Sequence, residues 1–180
     1  MKLKLLLFGL ALTIALPAGG DVIISGTSEF VGKVEDCWQQ IMDEGGDGAQ
    51  TLNDLQSSSN DHVIRERPGK NGTSYNSGVD ATVPEAGGSG KGTGTTVKWD
   101  PNLTTPFSDW VNRDPCACLL HELNHSRQGD TGTRDDRPGH NGIPKHEIDA
   151  VSNENKYRKD KGLPQRTKYK GKELPSSAIH

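Results

Sequence analysis

Between Asp114 and Gly129 the chain reads as one capped helix carrying two histidines and a glutamate, and this segment constrains the fold more than any other. Asp114 can accept the first free amide hydrogens and Pro115 suits the first helical position, so the helix is predicted over 115–128 with Gly129 as its stop. Inside it, His121-Glu122-Leu123-Asn124-His125 sets two imidazoles four residues apart on one face. They are about 6 Å apart along the axis, close enough to share one tetrahedral cation. Glu122 projects about 100° round the helix from His121, which lets its carboxylate reach a water on that cation without displacing a ligand. Cys116, Leu119, Leu120 and Leu123 are left for burial on the other side. Two imidazoles make half a zinc site, so the fold must bring at least one more ligand to this face.

The candidates for that ligand are Asp130, His140, His146, Glu147 and Glu154. The metzincin pattern fails, because it requires Gly and His three and six residues after the second ligand, where this chain has Gln128 and Thr131. A second helix is legible from Lys145 to about Lys161, closed by Gly162-Leu163-Pro164, with Glu147, Val151, Glu154 and Arg158 on one face. Glu147 is the choice for third ligand: it lies in the first turn, small Ala150 allows close helix approach, and its charge leaves zinc with net +1. His146 points about 100° away and reads as a neighbour. Glu154 either pairs with Arg158 as an i,i+4 salt bridge or orients the site from behind a ligand.

The start of the chain has a different character. Met1-Lys2-Leu3-Lys4 is basic, Leu5 to Leu16 is nearly all apolar, and small residues follow to Gly20, the pattern of a secretory signal peptide over 1–18. At about 12 residues the apolar run is too short to span a bilayer, which takes about 20. The expected organisation is therefore a leader and one catalytic domain over 21–180, secreted or periplasmic. Without the leader the net charge is −5, which gives no electrostatic reason to expect nucleic acid or stable association with an anionic membrane. With 31% apolar residues, Gly 22 and Pro 10, the core must be small. In an oxidising compartment a disulfide would tie Cys37 to Cys116 or Cys118, since residues two apart on a helix point about 200° apart and cannot join each other. Three buried small hydrophobes are the alternative.

Other elements follow from period and punctuation. Asp21–Gly26 reads as a strand, and Thr27 or Ser28 caps a helix with Phe30, Val34, Cys37 or Trp38, and Ile41 inward, ended by Gly45-Gly46. A short helix over Ala49–Leu55 and a strand over His62–Arg67 come next. The Gly- and Ser-rich stretch from Pro68 to Gly94 is predicted as a long loop or loose hairpin; its Gly87–Thr96 part lacks the residues of a phosphate-binding loop. Thr95–Trp99 reads as a strand and, standing just before the motif helix, is expected to be the sheet edge that pairs with an extended substrate. The fold class is α+β: a compact core in which the motif helix packs on a second ligand-bearing helix beside a small sheet.

The motif, together with Glu147-Ile148-Asp149-Ala150-Val151, Glu154-Asn155, Arg158, Gly162, Leu163-Pro164, Arg166 and Tyr169, resembles the NleD-type effector zinc metallopeptidases, which also occur as toxin domains of large bacterial proteins. Gly26-Thr27-Ser28-Glu29-Phe30-Val31 and Gly92-Thr93-Gly94-Thr95-Thr96-Val97 extend the likeness over nearly the whole mature chain. The resemblance implies one Zn²⁺ on His121, His125 and Glu147 in the glutamate-zincin manner, Glu122 as general base, and cleavage of a protein or peptide. It also favours Tyr169 over Tyr157, Arg158 and Arg166 as the oxyanion donor, and leaves open an immunity or inhibitor protein as partner. The leader departs from it, because injected effectors of this kind do not usually carry a secretory signal. Two rival readings stand beside it. One is an exported zinc-binding protein without activity, in which His140 or His146 completes four protein ligands. The other is a cell-wall peptidase or amidase.

Overall fold

The computed structural model describes residues 20–180 in full and, before them, only the course of Lys4–Leu6 and Ala11–Ile14. The predicted leader, 1–18, thus lies largely outside the described residues. Those two segments, β1 (Lys4–Leu6) and β2 (Ala11–Ile14), pair antiparallel with each other, and β2 pairs antiparallel with β3 (Val22–Ser25). No described helix is long and apolar enough to cross a membrane.

β3 leads to α1 (Ser28–Glu44), capped by Thr27, whose hydroxyl accepts from the Phe30 amide at 3.2 Å. Phe30, Val34, Cys37 and Ile41 are its buried stripe, as their spacing predicts, and Gly45 at φ 72° turns the chain directly into α2 (Gly46–Ser57). β4 (His62–Glu66) follows, then β5 (Gly72–Tyr75), a single turn α3 (Gly78–Ala81) and β6 (Thr95–Trp99). The motif helix is α4 (Pro115–Asp130); α5 (Lys145–Asp160) and a small hairpin of β7 (Lys168–Tyr169) and β8 (Lys172–Glu173) complete the chain. The main sheet runs β1-β2-β3-β4-β6-β5, parallel from β3 through β4 to β6 and antiparallel elsewhere. The α+β class holds.

Two expectations about this region need correction. Thr95–Trp99 is a strand but not an edge: β4 pairs with it on one side and β5 on the other. The edge is Gly72–Tyr75, inside the stretch read as loop, because a polar segment with no apolar period can still form a strand when its partner supplies the ladder. Gly129 does not stop α4, which continues to Asp130. A Cβ there would stand 2.5 Å from the Tyr75 ring, so glycine is needed for close approach of helix to edge strand.

The larger apolar cluster of the core lies between sheet and helices, with α4 at its centre. Trp99, fully buried, packs on Phe30 with ring centroids 5.8 Å apart and donates its indole N–H to Pro115 O at 3.2 Å, tying the end of β6 to the start of α4. The far end of α4 is fastened by polar groups. His62 Nδ1 meets Thr95 Oγ1 at 2.9 Å, Thr95 meets Ser126, and Asp130 accepts from Ser58 and from Asn60 at 2.8 Å. α4 is accordingly buried on nearly every side, which only a helix enclosed by sheet and other helices requires.

Cys37 bonds to Cys116, fixing α1 to the first turn of α4 across 79 residues, while Cys118 is a buried free thiol. Closing so long a loop restricts the unfolded chain, and Cys37→Ala is expected to lower stability by about 2–4 kcal/mol. The measurement is the urea midpoint of oxidised protein; an unchanged midpoint would show that the bond contributes nothing.

Candidate metal centre and cleft

The first turn of α4 is set by Asp114, whose carboxylate accepts from the Ala117 amide at 2.8 Å, with Pro115 at the first helical position. Two turns on, His121 and His125 point into a cleft of about 690 Å³ bounded by β5, the loop before α4, the start of α5 and the β7–β8 hairpin. Glu147, in the first turn of α5, faces them there. The Nε2 atoms of the two imidazoles are 3.2 Å apart, and Glu147 Oε2 lies 3.1 Å from His125 Nε2 and 3.5 Å from His121 Nε2. A tetrahedral zinc with bonds of about 2.0–2.1 Å has neighbouring donors roughly 3.3 Å apart, so this triangle fits the ion.

The surroundings fit as well. His125 Nδ1 donates to Gln128 Oε1 at 2.9 Å, and Gln128 in turn donates to His146 O at 3.1 Å. His121 Nδ1 stands 3.2 Å from Glu154 Oε2, within ion-pairing range but off the axis of a formed hydrogen bond. Both rings thus have Nδ1 turned to a partner and Nε2 turned to the cleft, the arrangement that orients histidine ligands. Burial works against a charged His121, yet Glu147 and Glu154 outweigh it and lift its pKa to about 9. Burial likewise works to raise the pKa of Glu147, and hydrogen bonds from His121, His125 and His146 hold it far below the usual carboxylate range. A pocket whose carboxylates draw protons onto a buried imidazole is one that favours a cation.

Glu122 lies beside this triangle. Thr73 Oγ1, on the edge strand, is 2.9 Å from Glu122 Oε2 and equally close to the Glu122 carbonyl, which fixes the carboxylate at the cleft wall. Thr73 was not legible as a site residue, since nothing local marks a threonine in a Gly-rich stretch.

The other candidates fall elsewhere. Asp130 is committed to His62, Ser58 and Asn60, and His140 is exposed. His146 stays a neighbour: its Nδ1 engages Asp135 O at 3.0 Å and its Nε2 is 3.6 Å from Glu147 Oε1. Glu154, fully buried, meets both readings given for it. It faces His121 and also pairs with Arg158 at 2.7 Å and Arg166 at 2.7 Å. Tyr157 belongs to the apolar core. Tyr169 lines the cleft, held against a second small cluster of Ile143, Val151, Leu174 and Ala178, and burial together with Glu147 pushes its phenol pKa up. Arg166 supports it from behind, its guanidinium 3.8 Å from the Phe107 ring centroid and 5.7 Å from that of Tyr169.

A Cys-free set of three donors from two helices, with a carboxylate alongside and an open cleft in front, suits hydrolysis assisted by a divalent metal. No curated protein matches the chain. The model of the Peptidase_M91 family, described as effector protein, matches residues 18–152, from the end of the predicted leader through both motif histidines and Glu147. That match spans most of the 180 residues, and the chain belongs to the Peptidase_M91 family of effector peptidases, which act on protein substrates.

Proposed function

We propose that this protein is an exported zinc-dependent endopeptidase of the glutamate-zincin type, acting as a toxin or effector. The observation that carries the reading is the convergence of His121, His125 and Glu147 donors within hydrogen-bonding range of one another, beside Glu122, in an open cleft. His121, His125 and Glu147 would hold the zinc, which would supply Lewis acidity toward a bound water and the scissile carbonyl. Glu122, oriented by Thr73, takes the proton from that water and later returns it to the leaving amine. Tyr169 donates its phenolic hydrogen to the oxygen on which negative charge develops; its raised pKa keeps that proton in place.

The substrate lies extended along β5. Its inner edge is paired with β6, and among the described residues its outer edge pairs with no other strand, so a peptide can extend the sheet there. β6 cannot take this role, since both of its sides are occupied. Export is supported by the leader over 1–18, and the Cys37–Cys116 bond suits the oxidising compartments to which such a leader directs a chain.

Metal analysis of the purified protein tests the reading. One zinc per chain is expected, removed by chelation together with proteolysis and restored on adding zinc back. His125→Ala is expected to lose both the metal and the cleavage of a denatured protein substrate. A chelated protein that cleaves as fast as the zinc form would refute the proposal.

A further inference from the structure

We propose that the cleft selects peptides with an acidic side chain flanking the cut, gripped by Lys70 and Lys170; this rests on the peptidase reading above. The side chains that line the cleft carry charges of both signs. The acidic ones are already engaged: Glu122 by Thr73, Glu147 by the imidazoles, Glu154 by two arginines. Three arginines are engaged too. Arg166 pairs with Glu154, Arg134 pairs with Asp136 at 2.7 Å and lies over the Tyr75 ring, and Arg113 donates to Thr105 O at 2.7 Å. Lys70 and Lys170 remain. Both are exposed at the cleft, and neither makes an ion pair among the described residues. On a chain of net negative charge, this cationic mouth is not inherited from composition.

Lys170 is held there at a cost. It adopts φ 49° and is followed by Gly171 at φ 81°, the two left-handed residues of a tight turn between β7 and β8. Asn or Asp adopts the first position of such a turn readily, whereas a residue without a short polar side chain is strained there. The hairpin is pinned from several directions. Asp109 accepts from the amides of Thr167 at 2.7 Å and Lys168 at 3.1 Å, Ser108 Oγ accepts from the Gly171 amide at 2.9 Å, and Asn141 donates to Glu173 O at 3.0 Å. A lysine serving only solubility gains nothing from this fixed, strained setting. An ammonium aimed at a ligand does, because its position relative to Tyr169 is set before the substrate arrives: Lys170 Nζ lies 5.1 Å from the centroid of that ring. Lys70 enters from the other flank, in the turn that leads into β5, where the peptide backbone is proposed to bind. A carboxylate on that peptide would meet either ammonium.

The test uses the full zinc-loaded protein on a synthetic peptide library varied at every position around the cut. Wild type is expected to prefer Asp and Glu at flanking positions on the order of tenfold over Lys and Arg, with the preference shrinking as salt rises. The double variant Lys70→Glu, Lys170→Glu is expected to reverse it. Lys170→Asn relieves the turn, so it should melt at or above the wild-type temperature while the acidic preference falls about threefold. Cleavage by wild type without acidic enrichment, or an unchanged preference in the double variant, overturns this inference and leaves the peptidase reading standing. Failure of the zinc-loaded wild type to cleave any peptide overturns that reading, and this one with it.

Discussion

Replacing Glu122 with Gln is expected to lower kcat/KM by a factor of roughly 10²–10⁴ while leaving one zinc per chain and the melting temperature unchanged. The size follows from the role. General-base catalysis contributes that range, and an amide of the same shape cannot accept the proton from water. The metal is expected to remain because Glu122 is not one of the three converging donors. The fold is expected to remain because the amide oxygen can still accept the hydrogen bond that Thr73 Oγ1 makes to Glu122 Oε2 at 2.9 Å. Metal content, thermal melting and peptide cleavage on one preparation decide the matter. Loss of metal along with activity would make Glu122 a ligand rather than the base; retention of full activity would remove it from the mechanism.

The largest effect on stability is expected from Glu154→Ala, a loss of about 3–5 kcal/mol. Glu154 is fully buried between Arg158, which is 1% exposed, and Arg166, which is 4% exposed. Deleting the carboxylate strands two guanidinium groups in a region they cannot leave, since Arg158 is also bound to Asn112 O and Pro164 O. In a domain of this size the change corresponds to a drop in melting temperature of roughly 10 °C. Metal affinity should fall by about 10–100-fold as well, because His121 loses the group facing its Nδ1. The same arrangement sets a pH dependence. Burial works to raise the Glu154 pKa, but Arg166, His121 and Arg158 hold it well below the usual carboxylate range. A folded-state pKa below the unfolded one means stability that is complete above about pH 4.3 and is lost as pH falls toward the folded value. Wild type should therefore lose stability on acidification in this window, and Glu154→Ala should lose less. Equal acid sensitivity in the two proteins would place the titrating group elsewhere.

How far the site could be read in advance differs from residue to residue. His121, Glu122 and His125 were legible because a helix converts spacing into direction, so four residues suffice to define a face. Glu147 was legible for a weaker reason, its place in the first turn of a second helix that Gly162-Leu163-Pro164 closes, with small Ala150 beside it. Thr73 and the edge role of β5 were not legible, since a strand of Gly, Thr, Ser and Tyr has no apolar alternation and is fixed only by its ladder with β6. Gly129 departs from its expected role as a helix stop for a related reason. Glycine ends many helices, and here it instead admits the Tyr75 ring, a contact between residues far apart in the chain.

The order of residues determined by itself the helices α1, α2, α4 and α5, the strand β6 and the pair of imidazoles with their neighbouring carboxylate, because period, caps and turns act over a few residues at a time. Tertiary structure alone decided that Cys37 joins Cys116 rather than Cys118, that Glu154 serves His121 and two arginines at once, and that β5 rather than β6 forms the edge. Each of those outcomes depends on the distance between segments that only the packed core brings together, and no local rule contains that distance.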